Sequence, residues 1–355
     1  MMLSSTDYVK IGRRHIGNNK PVFIIAEAGV NYNNKLSLAF KMIDIAARCG
    51  ADAVKFQTFI VDNIHLKNST KPRYQKLIKD KSYYNILKNL EPSFQQQIKL
   101  FNYCKKKNII FLSTPYDEQS LNFLNKLGIP AFKISSSDST NHLFLESVLK
   151  KGKPLLLSSG LTSRKEIDLT VKFIEKFKMM NKLVLLQTTS DYPTKNSDVN
   201  LKVIPEYIKK YKVLVGFSDH TTDYTASLGA VTMGACVVEK HFTLDRNLPG
   251  PDQKSSLEPS ELMEWIKKIR ILEESFGSKN KFVTNSEEEN ITMKKILVIK
   301  PAKQGTVITK ELLSAKRGDG KGILPLNNNL KKIIGKKLIK NINHERKFSW
   351  NLLKK

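Results

Sequence analysis

Between Pro21 and Gly277 short apolar runs alternate with longer amphipathic ones. The short runs are Val22–Glu27, Ala53–Thr58, Ile109–Thr114, Ala131–Ser135, Pro154–Ser158, Leu183–Thr188, Val213–Ser218 and Cys236–His241, each of strand length and composition. Helical patterns fill the gaps: Lys35–Cys49, Ser93–Lys107, Gln119–Leu127, Asn141–Lys150, Lys165–Lys178, Leu201–Tyr211 and Asp223–Met233. A last one, Glu258–Phe276, has Pro259 near its start and Gly277 just past its end; Leu262, Trp265, Ile266, Ile269, Leu272 and Phe276 make one apolar face. Strand followed by helix, eight times over about 250 residues, predicts an α/β fold, the (β/α)8 TIM barrel. An open doubly wound sheet is the alternative, but no G-x-G-x-x-G follows the first strand.

Residues 1–20 are expected to form a short hairpin capping the bottom of a barrel spanning 21–280. Residues 281–290 are polar, with a Ser-Glu-Glu-Glu-Asn run and no apolar period, and predict a linker. Residues 291–355 carry short strand-like pieces, Lys295–Lys300, Thr306–Ile308, Arg317–Gly322 and Ile333–Leu338. They predict a small β-rich domain near the lower size limit for standing alone.

Composition narrows the classes. The 355 residues are 40% hydrophobic and 26% charged, an ordinary globular balance. No apolar run reaches the roughly 18–20 residues of a membrane span. Met1 to Arg14 is polar and has no apolar signal core, so a cytoplasmic location is expected. Cys49, Cys104 and Cys236 are odd in number and lack C-x-x-C spacing, as reduced thiols do. The net charge of +27 admits nucleic acid or an anionic surface as partner. The lysines are spread along the chain among Asn and Ile, and no RNP, zinc-finger or basic-heptad motif occurs, so small anionic substrates are preferred over nucleic acid or membrane.

In a barrel of this kind function gathers where strands end. Here those ends are polar: Glu27; Lys55 and Gln57; Ser113-Thr114; Lys133 then Ser135-Ser136-Ser137-Asp138; Ser158-Ser159-Gly160; Thr188-Thr189-Ser190 with Tyr192; Ser218-Asp219-His220; Glu239 and His241. Side chains alternate along a strand, so Val54 and Phe56 should meet the helices while Lys55 and Gln57 face the axis. Ser218 and His220 share a parity, as do Glu239 and His241. Two inward lysines among hydroxyls make an anion site, lysine giving point charge and hydroxyls hydrogen bonds. His220 and His241, ending adjacent strands, are candidate metal ligands, with Glu27 and Asp252 available beside them. His15, His65, His142 and His344 have no such company.

Together these segments resemble the sialic acid synthase family, whose members make N-acetylneuraminate and related nonulosonates such as legionaminate. The matching stretches include Ile25-Ala26-Glu27-Ala28-Gly29-Val30-Asn31, Ala53-Val54-Lys55-Phe56-Gln57-Thr58, Ser113-Thr114-Pro115, Leu157-Ser158-Ser159-Gly160-Leu161, Gly216-Phe217-Ser218-Asp219-His220-Thr221 and Val238-Glu239-Lys240-His241-Phe242-Thr243. The resemblance implies a TIM barrel followed by a small antifreeze-like (SAF) domain, in a domain-swapped homodimer. It implies a transferase that joins phosphoenolpyruvate to an open-chain N-acylated amino sugar. Lys55, Thr114, Lys133, Ser136, Ser158, Ser190 and Ser218 would bind phosphoenolpyruvate. His220 and His241 would hold Mn²⁺, with Mg²⁺ or Co²⁺ as substitutes. Glu27, Lys55, Lys133 and Asp138 would carry the chemistry, and Gln57, Tyr192, Asp252 and Arg317 would contact the sugar. This chain departs from common family residues at Ser190, Gln253, Asp138 and Tyr32-Asn33-Asn34. The sugar stays open between neuraminate and legionaminate types. A sibling condensation, onto a pseudaminate precursor or a phosphorylated sugar, and a basic nucleic-acid-binding module are the competing readings.

Overall fold

The computed structural model describes residues 8–67, 82–318 and 321–354. The chain divides after Gly277 into two compact units. The first opens with a hairpin, β1 (Tyr8–Ile11) against β2 (Arg14–Gly17). Eight strands follow: β3 (Phe23–Gly29), β4 (Ala53–Thr58), β5 (Ile110–Pro115), β6 (Phe132–Ile134), β7 (Leu155–Ser158), β8 (Leu183–Thr188), β9 (Leu214–Asp219) and β10 (Val237–His241). They hydrogen-bond in the order β5-β4-β3-β10-β9-β8-β7-β6, all parallel, and β5 and β6 lie side by side to bring the ring round. A helix follows each strand, which makes the unit a (β/α)8 barrel.

Local chemistry sets the helix ends. Ser93 with Gln96, and Ser163 with Glu166, form reciprocal capping boxes. Pro259 starts the last helix, Pro259–Phe276, and Gly50 ends the first in a left-handed conformation at φ 86°. Leu262, Trp265, Ile266 and Ile269 of that last helix are buried, but Phe276, expected on the same face, is 51% exposed at the helix end. Two short helices, Val61–Ile64 and Tyr83–Leu90, interrupt the crossover after β4. Neither was predicted, because each is too brief to show a period. They pack Val61, Ile86 and Leu90 against Val30 and Phe59 in a satellite cluster.

Strand parity produces two separate cores. Val54 and Phe56 face the helices, packing with Met42, Ile43, Leu100 and Phe101. Ile25, Ala53, Leu112, Ala131, Leu156, Leu186 and Val237 face the axis. Val9, Ile11 and Ile16 of the hairpin join that inner cluster, so the hairpin plugs the end where the strands begin.

The second unit is a three-stranded antiparallel sheet, ordered β12 (Leu313–Arg317), β11 (Lys295–Ile299), β13 (Arg346–Lys347). Leu297, Ile299, Ile308, Ile333, Leu338, Ile342, Phe348 and Leu352 form its core. Three expectations are corrected here. The strand lies at Leu313–Arg317 and ends where Arg317–Gly322 was expected to begin; residues 319 and 320 of that stretch lie outside the described residues. Ile333 closes a helix, Asn327–Ile333, and in the stretch to Leu338 only Lys337 and Leu338 make isolated bridges. Within 281–290, Asn285–Glu289 is helical, because Thr284 and Glu287 form a capping box that needs no apolar period.

Candidate active site

At the C-terminal ends of the barrel strands lies a cavity of about 720 Å³. Its lining includes Glu27, Lys55, Gln57, Thr114, Lys133, Ser136, Asp138, Ser158, Ser190, Tyr192, Ser218, His220, His241 and Asp252. The structure therefore brings together every site residue expected from the sequence except Arg317. That residue lies in the second unit, exposed, at the end of β12.

The floor is an ionic cluster. Lys55 Nζ lies 2.7 Å from Glu27 and 3.6 Å from Glu239, and it donates to Thr114 Oγ1 at 3.3 Å. Lys133 Nζ is 3.5 Å from the other oxygen of Glu239, which also accepts from Ser218 Oγ at 3.0 Å. Glu239 thus bridges both lysines. Sequence parity had placed it inward without giving it a role. Burial opposes its charge, but Lys133 and Lys55 outweigh burial and hold its carboxyl below the usual range. Glu27 goes the other way: burial dominates and pushes its carboxyl up. Burial also lowers the Lys133 ammonium, while Glu239 and Glu27 offset burial to raise that of Lys55.

Two glycines let the walls converge. A Cβ on Gly160 would stand 2.3 Å from Ser190 Oγ and 2.6 Å from Ser136 Oγ, so only glycine admits both hydroxyls; its N–H donates to Ser136 Oγ at 3.1 Å. Gly29, at φ +51°, sits at a register shift between β3 and β4 and is ringed by Glu27, Gln57 and His241. Asp138 accepts from Asn141 at 3.2 Å and from Ser135 at 3.2 Å, and burial raises its carboxyl. Burial raises Asp252 to about 6.

The two imidazoles meet over this floor with ring centroids 5.6 Å apart. His220 Nδ1–H donates to the Thr189 carbonyl at 2.7 Å, which leaves Nε2 as the lone-pair nitrogen. Burial lowers His220 to about 4 and His241 well below its ordinary value, so both rings are neutral near pH 7. Tyr192 packs on both rings, at 4.1 and 5.7 Å. His241 Nδ1 and Ser158 Oγ are buried with no hydrogen-bond partner. Two rings sharing one ion would have centroids about 5–6.5 Å apart, so two neutral imidazoles at this spacing, one with an unpartnered Nδ1 and the other with only Ser218 Oγ at 3.4 Å from its Nε2, suit a divalent metal. Among the described residues no three His, Cys, Asp or Glu side chains form a ligand cluster. Glu27 gives one carboxylate oxygen to Lys55, while its other oxygen and His241 both border Gly29.

The cavity's other wall was not foreseen. Val30, Phe59, Ile64, Tyr83 and Leu87 line it, with Asn63 and His65. His65, given no role from sequence, stands edge-on to Tyr83 at 5.0 Å. Its signal was hidden because His65 follows a helix of only 4 residues, Val61–Ile64, too short to show a period. Gln253, where the chain departs from the family residue, is buried and donates to the Asn31 carbonyl at 3.0 Å, a tie between loops.

Such a fold, with lysines, carboxylates, hydroxyls and paired imidazoles gathered at the strand ends, defines a barrel enzyme acting on a small anion. Comparison with known proteins is more specific. Residues 42–281 match the NeuB family model. The chain is 41% identical over 304 residues to N,N'-diacetyllegionaminic acid synthase of Campylobacter jejuni, covering 84% of this chain and 91% of that protein. It is 36% identical over 331 residues to human N-acetylneuraminate-9-phosphate synthase, covering 92% and 91%. The crystal structure of an N-acetylneuraminic acid synthetase from Leptospira borgpetersenii, in complex with citrate, superposes with a TM-score of 0.71 at 35% identity, over 81% of this chain and 95% of that one. The chain belongs to the NeuB family and is a transferase of the N-acetylneuraminate synthase type. No helix among the described residues is long and apolar enough to cross a membrane.

Proposed function

We propose that the protein condenses phosphoenolpyruvate with the aldehyde of an open-chain N-acylated amino sugar, N-acetylmannosamine or 2,4-diacetamido-2,4,6-trideoxymannose. The products are a nine-carbon 2-keto acid and inorganic phosphate. The observation that carries this is the convergence of Lys55 and Lys133 with a ring of hydroxyls beneath two neutral imidazoles.

Lys55 and Lys133 supply charge, and Thr114, Ser136, Ser158, Ser190 and Ser218 supply hydrogen bonds, to the carboxylate and phosphate. Burial favours a proton on Glu27, which leaves Lys55 less neutralised and the floor net positive toward an anion. His220 and His241 would hold a divalent ion, Mn²⁺ first among Mn²⁺, Mg²⁺ and Co²⁺, which supplies Lewis-acid polarisation of the aldehyde oxygen. Gln57, Tyr192 and Asp252 orient the sugar. The enol carbon bonds to the aldehyde carbon, and the aldehyde oxygen takes up a proton, for which Glu27 is the buried acid. Positive character develops at C2 of the former enol. Asp138, its carboxyl raised by burial, accepts a proton from the water that adds there. At the tetrahedral centre the C2–O(phosphate) bond then breaks while the new hydroxyl gives its proton to the departing phosphate, leaving the 2-keto group and hydrogen phosphate. One water is consumed, and the fixed lysine charges do most of the stabilising.

Residues 291–355 act in this account as an antifreeze-like lid in a domain-swapped homodimer, with Arg317 reaching a partner's site to meet the N-acyl group. Support comes from Arg317 being exposed and from the absence of arginine among the described cavity-lining residues. Incubation of metal-replete protein with phosphoenolpyruvate, Mn²⁺ and a panel of such sugars is expected to release phosphate in step with a 2-keto acid. Silence across the panel would refute the function. Arg317→Ala is expected to raise the KM for sugar more than that for phosphoenolpyruvate; equal rises would refute the lid contact.

A further inference from the structure

Behind the imidazoles, on the helix-facing side of the barrel, lies a second charged pair that the chemistry above does not use. Asp219 and Lys240 stand opposite one another on β9 and β10, between Ser218 and His220 on one strand and Glu239 and His241 on the other. Both are fully shielded from water, with relative exposures of 0% and 1%. Their ion pair measures 3.1 Å. Apart from Ser227, whose hydroxyl donates to Asp219 at 2.5 Å, their remaining partners are all atoms of one residue, Thr221. Asp219 Oδ1 accepts from the Thr221 N–H at 2.9 Å and from its hydroxyl at 2.8 Å. Lys240 Nζ donates to the Thr221 carbonyl at 2.8 Å. Thr221 is the residue that follows His220.

From the other side, the His220 carbonyl accepts from the Thr194 N–H at 2.8 Å, and its ring is fixed on Thr189. An ion pair buried in an apolar layer gains little over hydrophobic residues of the same volume. Stability alone therefore gives no reason for two charges here, whereas their geometry is directed at a single turn. We infer that Asp219 and Lys240 are positioning residues: they clamp the His220–Thr221 turn from behind, so that Nε2 of His220 presents its lone pair toward His241 and the cavity. This rests on the reading of His220 as a ligand in the proposed function.

The test uses the full chain, stripped of metal with EDTA and labelled with ¹⁵N. Long-range ¹H–¹⁵N spectra of the wild type should show His220 as a single Nδ1–H tautomer. In the double variant Asp219→Asn/Lys240→Met, which removes the charges as a pair, that single tautomer should be lost. Mn²⁺ titrated by electron paramagnetic resonance should bind about 10–100-fold more weakly, with a similar fall in kcat. The KM for phosphoenolpyruvate should stay within about twofold, since Lys55 and Lys133 are untouched. A folded double variant keeping the tautomer, the Mn²⁺ affinity and kcat would overturn the inference. Should that variant fail to fold, Thr221→Ser and Thr221→Val decide: the serine should behave as wild type and the valine should show the loss, while identical behaviour overturns the clamp. If the wild type binds no Mn²⁺ and turns nothing over, the ligand reading has failed, and the metal-free tautomer spectrum still judges the clamp on its own.

Discussion

The two ends of the barrel are built by the same strands with the same parity, and they differ by two residues. Ile25 is followed at i+2 by Glu27, Ala53 by Lys55, Leu112 by Thr114, Ala131 by Lys133, Leu156 by Ser158, Leu186 by Thr188 and Val237 by Glu239. The first member of each pair belongs to the apolar inner core that the hairpin seals with Val9, Ile11 and Ile16. The second lines the cavity or bonds to what lines it. One period of the strand, about 7 Å, separates a dry plug from a charged floor. The difference teaches how the fold divides labour: apolar packing is gathered at the hairpin end, and buried charge is gathered at the end that carries the cavity.

That division can be broken from either side. The largest effect should come from the floor. Lys133→Met should lower kcat/KM by about 10³-fold or more, roughly 4 kcal/mol of barrier, with an unfolding midpoint no more than about 3 °C below wild type. Steady-state phosphate release and calorimetry check both halves. At the plug the pattern should invert. Ile11→Ala should cost about 2–5 kcal/mol in denaturant unfolding and leave kcat at 25 °C unchanged.

A third test reads the imidazoles through pH. Burial lowers His220 from 6.5 to about 4, so between those values the unfolded chain takes a proton that the native ring refuses. Stability must then fall as pH falls through that window. Comparing metal-free wild type with His220→Gln, which removes this group while Glu27 and Asp252 stay, the variant's slope should be flatter by about 1.4 kcal/mol per pH unit. Parallel slopes would mean that the ring titrates alike in both states. The smallest effect belongs to Phe276→Ser, which should cost less than about 1 kcal/mol because that ring is half in water. A larger loss would restore it to the apolar face of the last helix.

Much of this was legible in the chain. Fully buried parallel strands read as apolar runs, so all eight were placed within a residue or two of their ends, and parity turned Lys55, Lys133, His220 and His241 inward. What was hidden depends on contacts between strands. That Glu239 holds both lysines follows from the registers of β10 with β3 and of β3 with β4, which bring Lys55 near it, and from closure of the ring, which brings Lys133; its local sequence encodes none of these. The wall with His65 and Leu87 comes from helices of 4 and 8 residues, too short for a period to emerge. In the small unit Lys295–Lys300 was placed, as β11 (Lys295–Ile299), but in the stretches expected at Thr306–Ile308 and Ile333–Leu338 only isolated bridges form, which leave no run to read.

At the polar end the two lysines make an anion site, and the anion is phosphoenolpyruvate. Calorimetric titration of phosphoenolpyruvate, without sugar, into wild type, Ile11→Ala and Lys55→Met/Lys133→Met tests this most directly. One site per chain is expected in the first two, with affinity lower by about 100-fold or more in the third. Equal affinity in all three would contradict it.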